Sequence, residues 1–122
     1  MAKILVVDDE PDIREILKVM LEGDGHAVTV AGDGHAATRL LDTERVDLIL
    51  TDIFMPGKDG LETIMEIRRD HPAVKIIAMS GGGRTGELGY LADAVRLGAF
   101  GSIFKPFEEA RVLRTVRDAL AS

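Results

Sequence analysis

Four short apolar runs in this chain end on residues capable of polar chemistry. "ILVV" (4–7) is followed by Asp8 and Asp9, "LILT" (48–51) by Asp52, "IIAM" (76–79) by Ser80, and "SIF" (102–104) by Lys105. Taken singly, each has an ordinary explanation, because Asp and Ser are common turn and cap residues. Taken together they supply three carboxylates, a hydroxyl and an ammonium, provided that the fold brings the ends of these runs to one place.

The intervening sequence says how that could happen. Between the apolar runs, with "AVTV" (27–30) as a further one, lie helical patterns. Ile13, Ile16, Leu17, Met20 and Leu21 step by three and four residues, as one face of an amphipathic helix does. Ala36, Ala37, Leu40 and Leu41 form a second such face, and Leu61, Ile64 and Met65 a third. Leu91, Ala94 and Val95 form a fourth, and Val112, Leu113, Val116 and Leu120 a fifth. Met20, Met65 and Met79 read as core filling. Pro11 suits the first turn of a helix, where its missing N–H costs nothing. Asp59 followed by Glu62 matches a capping box in type. Gly23 and Gly98 stand where the first and fourth helices should stop.

The order is therefore βαβαβαβαβα, which implies right-handed crossovers, a parallel sheet and helices on both faces. "AVTV" and "SIF", polar or short, belong at the sheet edges, and the other three runs in the buried middle. The expected fold is α/β: a (βα)5 doubly wound, five-stranded parallel sheet. Open parallel sheets bind ligands beyond the carboxyl ends of their strands. That is the rim on which Asp8, Asp9, Asp52, Ser80 and Lys105 fall.

Two carboxylates about 5 Å apart repel by roughly 3 kcal/mol at an effective dielectric of ~20. Three of them with a single lysine are left with excess negative charge. A hard divalent cation cancels it, and an all-oxygen site with room for water suits Mg²⁺ better than zinc. Protonation of one carboxylate is the alternative, but it gives Lys105 and Ser80 no task.

The stretches "VVDDEPDIR" (6–14), "TDIFMPGKDG" (51–60), "AMSG" (78–81) and "FKPF" (104–107) resemble the receiver domains of two-component response regulators, the CheY-like family. The resemblance spans essentially the whole chain, in order, and implies the strand order 2-1-3-4-5 of the flavodoxin/CheY-like fold. It implies that Asp52 is the phosphoacceptor, whose carboxylate becomes an acyl phosphate. It implies that Asp9, Asp52 and the main-chain carbonyl of Phe54 ligate Mg²⁺, with Asp8 reaching the ion through water. The ion would neutralise charge developing on the phosphoryl oxygens. Lys105 would pair with one of those oxygens and Ser80 donate its hydroxyl to another. The Lys105–Pro106 bond matches a position often cis in the family. The expected partners are a histidine kinase or histidine phosphotransfer protein, and a downstream protein met by the face of helix four, strand five and helix five.

Three features depart from the family pattern. Ser102 stands where an aromatic switch residue is usual, with Phe104, Phe100 and Tyr90 nearby. The segment "SGGGRTGELGY" (80–90) is longer than the usual connection and rich in glycine. It is no P-loop, because Gly86 is followed by Glu87 and Leu88 rather than Lys and Ser or Thr. Phe54 is a bulky neighbour that could shield an acyl phosphate from water.

His26, His35 and His71 read as surface residues without a second metal ligand. Arg111, Arg114 and Arg117 read as the wet face of the last helix, or as a partner contact.

The bulk properties fit. The chain has 122 residues, 46% of them hydrophobic, 30% charged and only 4% aromatic, with a formal net charge of −6. The expectation is one soluble domain (1–122) with an aliphatic core, no output domain in this chain, whether stand-alone or excised, and little disposition to bind nucleic acid. There is no cysteine, no signal peptide and no apolar stretch able to span a membrane, so the expected setting is the cytoplasm. The chain is expected to catalyse only its own phosphorylation and dephosphorylation. An aspartyl-nucleophile phosphatase is disfavoured, because Asp8-Asp9-Glu10 replaces the Asp-x-Asp usual there. A degenerate receiver acting as a phosphorylation-independent binding module is the alternative.

Overall fold

The computed structural model describes residues 1–53, 60–80 and 87–122, with the backbone alone for 87–91. Five strands alternate with five helices: β1 (Lys3–Val7), α1 (Pro11–Gly23), β2 (Ala27–Ala31), α2 (Gly34–Thr43), β3 (Leu48–Asp52), α3 (Gly60–Asp70), β4 (Lys75–Ser80), α4 (Glu87–Arg96), β5 (Gly101–Phe104) and α5 (Glu109–Ala121). All pairings are parallel, in the order β2-β1-β3-β4-β5. β1, β3 and β4 are the buried centre, as their unbroken apolar runs require. β2 shows solvent-exposed positions and lies at an edge.

The sheet separates two apolar layers. Leu5, Val7, Ile49, Ile76 and Ala78 face α2, α3 and α4, meeting Ala37, Leu41, Ile64, Ile67 and Ala94. Ile4, Val6, Leu48, Leu50, Ile77, Met79 and Ile103 face α1 and α5, meeting Leu17, Leu21, Val112, Val116 and Ala119. Alternate residues of each strand thus go to opposite layers, as the pleat demands.

The helix faces are narrower than periodicity alone suggests. Ile16, Met65 and Val95 are exposed at 46%, 55% and 48%, so none of the three is core, while Ile67 and Ala119 are fully buried. Each helix covers only part of one sheet face, and the outer apolar residues of a wide stripe stay in water. Gly98 ends α4 with a φ of 121°, a conformation that costs glycine little. Gly23 is the last residue of α1, and the left-handed residue after that helix is Gly25, φ 92°. Pro11 occupies the first turn as its ring geometry favours. Asp59 of the capping box, Phe54, the Met55-Pro56 turn and the glycine-rich segment 81–86 lie outside the described residues. Among the described residues, no helix is long and apolar enough to cross a membrane.

Candidate functional site

The carboxyl ends of β1, β3, β4 and β5 converge on one polar rim. Asp52 is the last residue of β3 and is 4% exposed, while Asp8, just past β1, is fully buried. Lys105 follows β5 and reaches back between them. Its Nζ donates a hydrogen bond to Asp52 Oδ2 at 2.8 Å and lies 2.7 Å from Asp8 Oδ2. The second contact is an ion pair without hydrogen-bond alignment, so Asp8 Oδ2 is a buried oxygen lacking a hydrogen-bond partner. The backbone fixes the lysine as well: Lys105 N–H donates to Ser80 O at 2.7 Å, and the Lys105–Pro106 peptide is cis. Burial disfavours the ammonium, but the hydrogen bond to Asp52, the contact with Asp8 and the attraction of both carboxylates outweigh it. Lys105 therefore titrates above the ordinary lysine value.

Ser80 is fully buried at the end of β4, in register with Phe104. Asp9 and Glu10 are exposed, and one carboxylate oxygen from each of Asp8, Asp9 and Glu10 lies within 4.8 Å of the others. The rim thus brings Asp8, Asp52 and Lys105 into contact and sets Asp9 beside Asp8. Phe54, whose carbonyl was expected here, lies outside the described residues.

The fit of this rim to a hard divalent cation rests on its donors. They are all oxygens and predominantly carboxylates, and one of them, Asp8 Oδ2, is buried without a hydrogen bond. Such a set accommodates a hard ion and offers nothing to a thiophilic one.

Two residues that sequence patterns did not single out shape this rim. Arg14, one turn into α1, donates from Nη1 to the carbonyl oxygen of Asp8 at 2.7 Å. Asp8 Oδ1 in turn accepts the Glu10 N–H at 2.9 Å. Together these bonds set the acidic turn. Gly60 opens α3 against the end of β3. A Cβ there would run into the Ile53 backbone and stand 2.5 Å from the Asp52 carbonyl oxygen. A DG pair announces a turn, but only the fold shows that the glycine serves close approach.

His26 also departs from expectation. Its side chain is only 10% exposed, its Nδ1 accepts the Ala2 N–H at 3.2 Å, and its Nε2 lies 3.7 Å from Asp24. Arg117, read as solvated or as a partner contact, instead makes a two-pronged contact with Asp24, with Nε at 3.1 Å. Both belong to the opposite, amino-terminal edge of the sheet.

A 2-1-3-4-5 parallel sheet with an Asp–Lys–Asp contact at its carboxyl edge defines the class as the CheY-like α/β domains. Comparison with known proteins then gives the family. The model of the response regulator receiver domain matches residues 4–117. Chemotaxis protein CheY of Listeria monocytogenes is 35% identical over 120 residues, covering 98% of each chain. Transcriptional regulatory protein MalR of Bacillus subtilis is 36% identical over 120 residues, which are 97% of this chain and 50% of MalR. The chain thus spans about half the length of that regulator. The structure of TrrA from Thermotoga maritima, in complex with Mg²⁺-BeF, superposes with a TM-score of 0.86 at 34% identity, covering 98% of this chain and 99% of TrrA. This chain belongs to the response regulator receiver domain family, the receivers of two-component signalling.

Proposed function

We propose that Asp52 accepts a phosphoryl group from a phosphohistidine on a histidine kinase or histidine phosphotransfer protein. One Asp52 oxygen forms a bond to phosphorus as the P–N bond of the donor breaks, and the imidazole leaves with the bonding pair. The observation that carries this reading is Lys105 Nζ held 2.8 Å from Asp52 and 2.7 Å from Asp8. A buried carboxylate at a strand end thus has a cation already beside it.

Asp8, Asp9 and Asp52, with the Phe54 carbonyl, would hold Mg²⁺, which supplies neutralisation of the phosphoryl oxygens. Lys105 has a second task once Asp52 is an acyl phosphate: its ammonium can follow the negative charge onto a phosphoryl oxygen. Ser80, at the end of the neighbouring strand, donates its hydroxyl to another. The chain acts on itself in this scheme and turns over no separate substrate.

The signal leaves through the α4–β5–α5 face in the cytoplasm, to a downstream protein rather than to nucleic acid. Ser102 offers no ring for the relay. Strand alternation puts Phe104 on the same side of β5 as Ser102, because Ile103 between them is buried against α1 and α5, and Phe104 is 38% exposed. Phe104 is the aromatic placed to report on Lys105, its chain neighbour. The test is intact mass after incubation with Mg²⁺ and a small-molecule phosphodonor. A gain of one phosphoryl that Asp52→Ala abolishes supports the reading. No gain with donor, metal and cognate kinase favours the phosphorylation-independent binding module.

A further inference from the structure

Glu10 has no local task of the usual kind. It stands at the N-cap of α1 in extended conformation (φ −95°, ψ 115°), yet its side chain makes no cap hydrogen bond. Good N-caps are short side chains whose oxygen reaches the N–H two or three residues on. A glutamate is too long for this, and Pro11 has already removed one of the N–H groups at this end. The Glu10 backbone is nonetheless tightly placed. Its N–H donates to Asp8 Oδ1 at 2.9 Å, its carbonyl accepts the Arg14 N–H at 3.2 Å, and Arg14 Nη1 pins the Asp8 carbonyl. These bonds turn the chain so that a Glu10 carboxylate oxygen lies within 4.8 Å of oxygens from both Asp8 and Asp9. The cluster contains Asp8, whose fully buried Oδ2 has no aligned hydrogen bond and meets the Lys105 ammonium at 2.7 Å as an ion pair.

We propose that Glu10 is a third acidic-turn carboxylate of the divalent-cation site, setting the site's affinity directly or through one bound water. The proposal rests on the reading of this rim as a cation site and adds Glu10 to it. Its physical basis is charge count. The amino end of α1 carries partial positive charge, which opposes a cation. Lys105 already occupies Asp8 and Asp52 and competes for the same oxygens. An added carboxylate on the solvent side offsets both, and charge count is a principal determinant of affinity in oxygen-ligand sites. A hydrated Mg²⁺ tolerates such a ligand at the edge of its water shell, because it gives up those waters reluctantly.

The bland role for Glu10 is general stabilisation of the helix amino end, which Asp12, exposed in the first turn, serves equally. Titration of the whole chain with Mg²⁺ by calorimetry, and with Mn²⁺ by electron paramagnetic resonance, separates the two without any phosphorylation readout. Glu10→Gln is expected to weaken both ions about fivefold, as loss of one ligand charge does in oxygen sites. Asp12→Asn is expected to leave both within about twofold, as an exposed charge beyond the shell does. Thermal melting verifies that both variants are folded, which the exposure of both side chains favours.

Glu10→Gln binding like the parent, while Asp9→Asn loses affinity, overturns the role of Glu10 and leaves the cation site standing. Equal weakening by Asp12→Asn also overturns it, reducing the effect to general charge. A parent chain that binds neither ion overturns the cation site and the proposal together.

Discussion

The two ends of the sheet solve the same problem in opposite ways. At the amino-terminal edge each carboxylate meets a donor or a cation outside the core. The one buried atom without a hydrogen bond among the described residues there, His26 Nε2, is an imidazole nitrogen 3.7 Å from Asp24. Asp47 accepts the Lys3 N–H at 2.9 Å, His26 accepts the Ala2 N–H, and Asp24 is gripped by Arg117. These contacts tie β1, β2, β3 and α5 together, and among the described residues no carboxylate at this edge is buried. At the carboxyl edge, two buried carboxylates share one ammonium, with Asp9 and Glu10 adding charge beside them. Burying a charge costs stability unless it is fully matched. The amino-terminal edge avoids that cost and the carboxyl edge carries it. Surplus buried charge at one end of an otherwise balanced sheet is the physical mark of a site.

The largest expected effect comes from closing the gap that lets α3 reach the carboxyl edge. Gly60→Ala places a methyl group against the Ile53 backbone, where no side chain can move aside. The expected loss is about 3 kcal/mol or more, at the upper end of overpacking, read as a fall in the urea midpoint. An unchanged midpoint contradicts the close approach.

Removing the shared ammonium is next. Lys105→Met leaves Asp8 and Asp52 facing each other, at a cost of about 2 kcal/mol, below the full penalty for a broken buried pair because the lysine is partly solvated. Added Mg²⁺ should restore much of that loss, and its affinity should rise about tenfold as its competitor disappears. The sign with pH follows from the raised value for Lys105. Its contribution is complete below the ordinary lysine value and is lost as pH rises through the higher folded value. The parent should therefore lose stability in that alkaline window, and Lys105→Met should lack that component.

The smallest effect belongs to the balanced end. The hydrogen bond from Arg117 leads the causes that hold the Asp24 carboxyl below its usual value. Its contribution is present above the ordinary aspartate value and lost as pH falls through the folded one. Arg117→Ala should therefore change only the acid limb of the stability profile, with a slight fall in midpoint at neutral pH. Mg²⁺ affinity should stay within about twofold, because the site lies across the sheet, beyond a screening length. A larger change in affinity would mean that the two ends are coupled.

The carboxyl-edge half of this contrast was legible in the sequence, the amino-terminal half was not, and the difference has physical reasons. Strand ends are readable because apolar runs stop abruptly, so Asp8, Asp52, Ser80 and Lys105 could be assigned to one rim before any geometry. What periodicity cannot give is the width of a buried stripe, which depends on how far each helix overlaps the sheet; hence Ile16, Met65 and Val95 lie outside. Nor can it give long-range reach. Arg14 looks like a solvated helix residue until its guanidinium is seen on Asp8, and Arg117 until it is seen on Asp24. His26 looks like a loop histidine until β1 and α1 close over it. That Lys105 bridges two carboxylates follows from three strands ending at one level, a property of register rather than of local sequence.

The central claim is that the overcharged end takes a phosphoryl group on Asp52 itself. Borohydride reduction of the phosphorylated chain, followed by peptide mapping, tests it most directly, because the reagent converts an aspartyl phosphate to homoserine. The account predicts homoserine at position 52 alone, dependent on both phosphodonor and Mg²⁺. Homoserine at position 8 or 9, or a phosphoryl gain that leaves position 52 as aspartate, would contradict it.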